Sequence, residues 1–380
     1  MSGFEVASEI GRLRRVLLHR PDLELRRLTP SNVHELLFDE LLWVEQAQTE
    51  HDQFAALLRD HGVDVHLLGD LLAQVLADPG VRAGLLDKVV TPEAFGEGLV
   101  HELREWFDAL PAPELVRWLI GGVLTSDLPF KPGGLVGASF HPTAFVLPPL
   151  PSQMFMRDSS AWMYGGVSIN PMALPARRRE TVHLETAYRH HPMFTADPVP
   201  TWYGGDGHDH YPAVVEGGDM LVLGDGVLLV GMGERTTHQG IEALARSMFA
   251  AGALHTLIAV ELPKQRAFMH LDTVMTQVDR DAFVAYPGLR HRLRPFVIPP
   301  ARAAIWTCGP KRTCSRPWPG CWACPRSGPS RPAGTRSSPS GSSGTTATTC
   351  SRCRPGWCSP TSATPTPTSA CVTRASRSSP

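Results

Sequence analysis

No cysteine occurs before Cys308, and no acidic residue occurs after residue 300. The first absence excludes a disulfide framework from the first 300 residues, which suits a reducing compartment. The second splits the charge. Residues 1–300 hold 25 basic against 37 acidic side chains, a net −12, whereas residues 301–380 hold 11 basic side chains and none acidic. The near-neutral total of −1 therefore averages an acidic body and a basic tail. An acidic body repels polyanions, so nucleic acid is not an expected partner for it.

The tail also lacks Leu, Met, Phe, Tyr, Asn, Gln and His. It has too little apolar surface to offset the entropy of ordering the chain, so residues 301–380 are expected to be largely irregular. Nowhere does an apolar run reach the roughly 18–20 residues of a membrane span. The first residues carry charges where a secretory leader needs an apolar stretch. No membrane partner and a cytoplasmic location are the expectations.

What is present in the body reads as mixed α/β. Residues 14–19 alternate as a strand. Residues 43–61 have helical apolar spacing that stops at Gly62, and residues 63–68 alternate again. Residues 220–223 and 227–230 are apolar runs joined by Gly224-Asp225-Gly226, a hairpin signal. A helix over 237–251, ended by Gly252, and a strand over 256–262 complete a ββαβ module, and the body is expected to hold more than one. Residues 70–142 differ. They are rich in Leu, Ala, Glu and Arg, with Thr91-Pro92-Glu93 and Pro113-Glu114 as helix starts, and they read as a helical insert.

Four constellations in the body carry chemistry. Phe155-Met156-Arg157-Asp158 holds an Arg-Asp pair, which is also the commonest form of a structural ion pair. Glu216-Gly217-Gly218-Asp219 sets two carboxylates about two glycines that permit close backbone approach, although a solvated glycine turn would look the same. His270-Leu271-Asp272 places an imidazole and a carboxylate on one face if the segment is a strand, an arrangement suited to acid–base work or to a metal, and equally to a satisfied core histidine. Arg177-Arg178-Arg179 and Gly233-Glu234-Arg235 supply guanidinium forks for carboxylates, or simple surface charge. His208-Asp209-His210 and His190-His191 have ligand-like spacing but lie in Gly/Pro-punctuated sequence, and metal binding is not expected there. Together the groups suit a small zwitterionic substrate with a cationic end.

These segments resemble the arginine deiminase family of the guanidino-modifying pentein superfamily. The likeness runs from Gly3 to about Pro300 through Glu9-Ile10-Gly11-Arg12-Leu13, Leu36-Leu37-Phe38-Asp39, Phe155 to Asp158, Trp162 to Pro171, Ala176 to Thr181, Val215 to Asp219, Gly231 to Thr236 and Met269 to Asp272. The resemblance implies an α/β propeller of five ββαβ modules with an inserted helical bundle, here without its last module. It divides the chain into residues 1–70 (first part of the propeller), 71–145 (helical insert), 146–300 (remainder of the propeller) and 301–380 (tail). It implies hydrolysis of L-arginine to citrulline and ammonia: a cysteine thiolate attacks the guanidinium carbon, ammonia leaves, and water hydrolyses the S-alkylthiouronium. By motif position Asp158 and Asp272 clamp the guanidinium, and His270 is the general acid/base with Glu216 alongside. Arg177 and Arg235 hold the substrate carboxylate. Phe155, Asp219 and Ser152 complete the substrate set, Ser152 standing where the family usually has Asn. Neither cofactor nor metal is implied, and a homo-oligomer stays open.

The family nucleophile is a cysteine near the C-terminus. Cys321-Trp322-Ala323-Cys324-Pro325 has no family motif around it, so no nucleophile is assigned and the chain is expected to be inactive. Two other functions stay open: a metal-dependent hydrolase built on the His and Asp motifs, and a non-enzymatic tail that binds zinc through Cys321, Cys324, Cys350 and Cys353, or binds nucleic acid. A third account of the tail is a change of reading frame between Pro300 and Trp306. The string Ser-Ser-Gly-Thr-Thr-Ala-Thr-Thr at 342–349, read from the last base of each codon, accommodates Glu-Gln-Trp-Asp-Asp-Gly-Asn-Asn, a family-like segment. The DNA between the codons for Arg290 and Pro380 tests this directly. One inserted or deleted base should restore the family frame, and an unbroken frame in an independently sequenced copy would refute the account.

Overall fold

The computed structural model describes residues 3–289, 293–300 and, for the backbone alone, 371–374. The tail expectations otherwise fall outside the described residues. Strand Arg15–Leu18 pairs in parallel with Asp64–Leu67, from Arg15 opposite Asp64 to Leu18 opposite Leu67. A parallel pair needs a crossover, and helix Val44–Asp60 supplies it. Gly62 then reverses the chain with φ +75°, a conformation that glycine adopts without strain. Strand, helix and strand all lie where the apolar spacing put them.

Helices Leu68–Val75, Pro79–Val89, Pro92–Phe95, Glu97–Ala109 and Ala112–Gly121 follow in succession. Their starts are chemically marked. Asp78 accepts hydrogen bonds from the backbone N–H groups of Gly80 and Val81, and Thr91 accepts one from Ala94, each with Pro next in line. Leu72, Leu99, Leu103, Phe107, Leu115 and Leu119 are fully buried in one apolar cluster. That cluster also takes in Leu184 and Ala187 of helix Pro175–His190, so the helical segment is packed against an element that reaches the candidate site.

The sheet regions are small. The largest has four strands in the order Arg294–Ile298, Thr256–Glu261, Val227–Met232, Met220–Gly224. Met220–Gly224 and Val227–Met232 form the expected hairpin, closed by Asp225 (φ +48°) and Gly226 (φ +66°). Helix His238–Ala250 then crosses to Thr256–Glu261, which lies parallel to Val227–Met232. This is one complete ββαβ unit, with Val222, Leu228, Val230, Leu244 and Leu257 in its core. Strands Ser160–Met163 and Gly166–Ile169 form a second hairpin, and Met275–Asp279 with Ala282–Ala285 a third. Among the described residues the strands make five separate sheets and none closes on itself. Residues 371–374, within the stretch expected to be irregular, form a strand antiparallel to Ala282–Ala285. An open strand edge offers unpaired N–H and C=O groups to any extended segment, whatever its side chains.

Leu103 is wholly buried in the helical cluster, whereas Leu135 is 85% exposed. Leu103→Ala should lower stability by about 2–5 kcal/mol, and Leu135→Ala should change it by less than about 0.5 kcal/mol. Urea denaturation of the two variants measures the contrast.

Candidate active site

Three short segments converge at one end of the ββαβ unit. The one-turn helix Met156–Ser159 carries Asp158, the 3-10 turn Gly217–Asp219 follows Glu216, and His270 lies just beyond the 3-10 turn Arg266–Phe268. The glycine pair makes this possible. A Cβ at Gly217 would sit 1.8 Å from the Arg157 carbonyl oxygen, and one at Gly218 would sit 2.7 Å from His270 Nδ1 and 2.8 Å from Asp158 Oδ1. The close approach that the two glycines suggested in the sequence is thus realised, between three side chains that are far apart in the chain.

His270 and Asp272 do not lie on a strand. They flank Leu271, which is fully buried and donates its backbone N–H to Asp219 Oδ1 at 2.9 Å. The Asp272 N–H donates to the Gly218 carbonyl at 3.0 Å. A turn pinned at two points, rather than a pleat, sets the directions of the two side chains. His270 turns inward, with Nε2 2.7 Å from Glu216 Oε2 and Nδ1 3.6 Å from Asp158 Oδ1. Asp272 is exposed, and among the described residues no hydrogen bond or ion pair reaches its carboxylate.

Arg177 is almost completely buried, at 2% exposure. Its Nε and Nη2 donate to the two Glu180 oxygens at 2.9 Å each, and Nη1 donates to Asp158 Oδ2 at 2.6 Å. Nη2 also reaches the carbonyls of Ser152 and Phe155, at 3.1 and 3.2 Å. Burial works against its charge, but the two carboxylates outweigh burial and hold its pKa above the ordinary value. Arg235 is less engaged: Nη1 lies 3.4 Å from Glu216 Oε2. Glu216 is wholly buried, and its second oxygen, Oε1, has no hydrogen-bond partner among the described residues. Asp219 is also wholly buried, and both its oxygens are occupied, by Leu271 N–H and by the Thr236 hydroxyl at 2.5 Å.

The structure therefore gathers Asp158, Glu216, Asp219, His270, Arg177 and Arg235 into one buried cluster, with Asp272 beside it. Ser152 enters through its carbonyl, and Phe155 stands half exposed next to Phe38, with ring centroids 6.3 Å apart. His208 and His210 both contact Asp206 at the surface, and His191 pairs with Gln74. Three supports lie within the motifs but had no role assigned from the sequence. Arg157 grips both oxygens of Glu9, at 3.0 and 2.6 Å, and donates to the Gly217 carbonyl at 3.2 Å. Thr236 Oγ1 accepts the Glu216 N–H at 3.0 Å. Glu180 ends an Arg-Arg-Arg-Glu run inside the Ala176 to Thr181 motif, and its i, i+3 spacing from Arg177 is the signal that could have assigned it.

Ligand atoms of Asp158, Glu216 and His270 lie within 4.8 Å of one another, close enough to hold a cation. The same oxygens already face guanidinium groups, Arg177 Nη1 lying 2.6 Å from Asp158 and 4.0 Å from Glu216. Carboxylates, a buried histidine and two guanidinium groups thus meet at one place, a set suited to acid–base chemistry. A family model described as "Arginine deiminase" matches residues 34–306, well over half of the sequence. The chain belongs to the arginine deiminase family.

Solved structures to which the chain shows similarity include a cysteine-to-serine variant of dimethylarginine dimethylaminohydrolase from Pseudomonas aeruginosa, complexed with citrulline. It is 15% identical over 71% of this chain and 68% of that one, with a TM-score of 0.38. Another is SxtG, an amidinotransferase from Microseira wollei in the saxitoxin biosynthetic pathway, 14% identical over 75% of this chain and 69% of that one, also with a TM-score of 0.38.

The cluster predicts a pH dependence. Burial disfavours the His270 cation, but its bond to Glu216 and the charges of Asp158, Asp219 and Glu216 outweigh burial and raise its pKa. A raised folded-state value stabilises the fold fully below the unfolded value of about 6.5, and this contribution is lost as pH rises through the folded value. Asp219 acts in the same direction. Burial pushes its pKa up to about 7, so the stability its neutral form contributes disappears as pH rises through that value. The urea midpoint of the wild type should fall as pH rises from about 4 through 7, the range of Asp219, and fall further above about 6.5 as His270 loses its proton. His270→Gln, which keeps a hydrogen-bond donor but does not titrate, should flatten the second part of the fall.

Proposed function

We propose that this cluster is an L-arginine site of the deiminase type. The observation that carries the reading is Glu216 Oε1, a buried carboxylate oxygen without a donor among the described residues, beside His270 and two guanidinium forks. A buried acceptor left unpaired costs free energy, and a substrate N–H would remove that cost. Asp158 and Asp272 take the substrate guanidinium between them. Asp272 is the acceptor with free capacity, and Asp158 retains Oδ1, because only Oδ2 is bonded to Arg177. His270, held by Glu216, moves the protons. Of the two arginines, Arg235 has the donors to spare for the substrate carboxylate, while Arg177 fixes Asp158 in place. Asp219 works by holding the 270–272 turn, Ser152 by its carbonyl, and Phe155 by covering the entrance. The five-module propeller, the division into residues 1–70, 71–145, 146–300 and 301–380, and a cytoplasmic setting belong to the same proposal. Of the setting, the described residues support one part: no helix among them is long and apolar enough to cross a membrane.

The reaction, arginine plus water to citrulline plus ammonia, needs a thiolate. Residues 1–307 contain no cysteine, so the cluster has no nucleophile of its own there. We therefore expect binding without turnover. The family match stops at residue 306, which supports the reading that the tail is out of frame. The cation-sized spacing of Asp158, Glu216 and His270 favours one rival, a metal-dependent hydrolase. Stoichiometric zinc in the purified protein, with hydrolysis abolished by a chelator, would establish that rival instead.

Calorimetric titration with L-arginine should show binding that Asp272→Asn weakens by about ten-fold or more, through loss of a charge-assisted bond. The substitution should not lower stability, because partial burial already works against that carboxylate's charge and raises its pKa, and no hydrogen bond among the described residues holds it. Citrulline should not accumulate. Citrulline production that Cys321→Ser abolishes would overturn the inactivity, and equal affinity in Asp272→Asn would overturn the clamp.

A further inference from the structure

Arg177 and Arg179 are two positions apart on helix Pro175–His190, about 200° around its axis. The first turns of this helix therefore present one guanidinium to the acid–base cluster and another to a different place. That place is a pocket of about 340 Å³, open to solvent on one side and bounded by the end of helix Pro79–Val89, the short helix Pro92–Phe95, strand Phe145–Leu147 and helix Pro175–His190. Its walls are apolar, with Phe95, Val146, Leu147 and Val182 among them. Its only charged lining residues are cationic: Lys88, Arg178 and Arg179.

The three cations are not equivalent. Lys88 is neutralised by Glu185, with Nζ 2.9 Å from Oε2. Arg178 is exposed and has Asp209 4.0 Å from Nη1. Arg179 has no ion-pair partner among the described residues. Its Nη2 donates to the carbonyls of Leu119, at 3.3 Å, and Pro148, and its Nε is buried with no partner there. The neighbouring Glu180 has both oxygens on Arg177. Burial lowers the Arg179 pKa to about 10, opposed by the Glu180 charge. A half-buried guanidinium that no carboxylate pairs among the described residues, set beside an apolar wall, gains from an anionic ligand.

We propose that this cavity binds a small amphipathic monocarboxylate, with the carboxylate on Arg179 and the hydrocarbon body against Phe95, Val146 and Val182. Nη2 is committed to two backbone carbonyls and Nε is closed off from the pocket, so the carboxylate accepts from Nη1, which has no partner among the described residues. The volume lies at the low end of the roughly 300–1,000 Å³ of small-molecule sites, which suits a branched aliphatic acid rather than a nucleotide. A lining with only positive charge disfavours L-arginine, whose far end is cationic, so the site is separate from the one proposed above.

The full chain titrated with isocaproate should show one binding event. Its neutral isostere isocaproamide, and acetate, which lacks the hydrocarbon body, should each bind about ten-fold or more weakly. Ala94 lines the cavity from an exposed position, so Ala94→Trp should obstruct it and abolish isocaproate binding with the circular dichroism unchanged. Arg179→Met should bind acid and amide alike. The proposal is overturned if the wild type binds acid and amide equally, if it gives no heat with isocaproate, or if Ala94→Trp binds isocaproate as well as the wild type does. L-Arginine binding is read separately and does not bear on these outcomes.

Discussion

The buried guanidinium of Arg177 is the constraint on which the site depends. A cation this far from water persists only with its charge and donors matched, and Glu180, Asp158 and two backbone carbonyls do that. The match works in both directions. Asp158 and Glu216 are carboxylates in a region with little water, and each lies within 4.0 Å of Arg177 Nη1. Removing either sign would leave the other uncompensated, so the acids and the base of this cluster are mutually required before any ligand arrives.

Around that centre the backbone is arranged to bring acid and imidazole closer than side chains with a Cβ between them allow. Gly217 and Gly218 let a turn slide between Met156–Ser159 and His270. The turn is then held from outside. Arg157 binds the Gly217 carbonyl on one side and Glu9, near the start of the chain, on the other. Thr236 receives the Glu216 N–H and donates to Asp219, and Asp219 in turn receives Leu271 N–H. The geometry of Glu216 and His270 therefore rests on contacts from four parts of the chain, each individually modest.

Some of this was legible in one dimension because local rules suffice. Apolar spacing with a glycine stop located helix Val44–Asp60, and Gly224-Asp225-Gly226 located a hairpin, since turn chemistry and periodicity are short-range. The roles within the cluster were harder. The 270–272 segment alternates like a strand but folds as a turn, because Asp219 and Gly218 capture its N–H groups before a partner strand can. Arg157 and Asp158 are neighbours that do not form the structural pair their adjacency suggests. One goes to Glu9 and the other to Arg177, and no local rule anticipates partners 148 residues away or 19 residues ahead.

By itself the sequence determined the acidic body and basic tail, the mixed α/β grammar, the lack of cysteine before Cys308, and the set of ionisable residues that the family motifs mark. These are matters of composition, period and spacing. Only the tertiary structure decided which charges meet. Among the described residues it placed Arg177 on Asp158, left one oxygen of Glu216 without a donor, and set Arg179 against an apolar pocket instead of an acid. The physical reason is that electrostatic pairing in a low-dielectric interior depends on distances of a few ångströms between segments far apart in the chain, and no one-dimensional pattern encodes them.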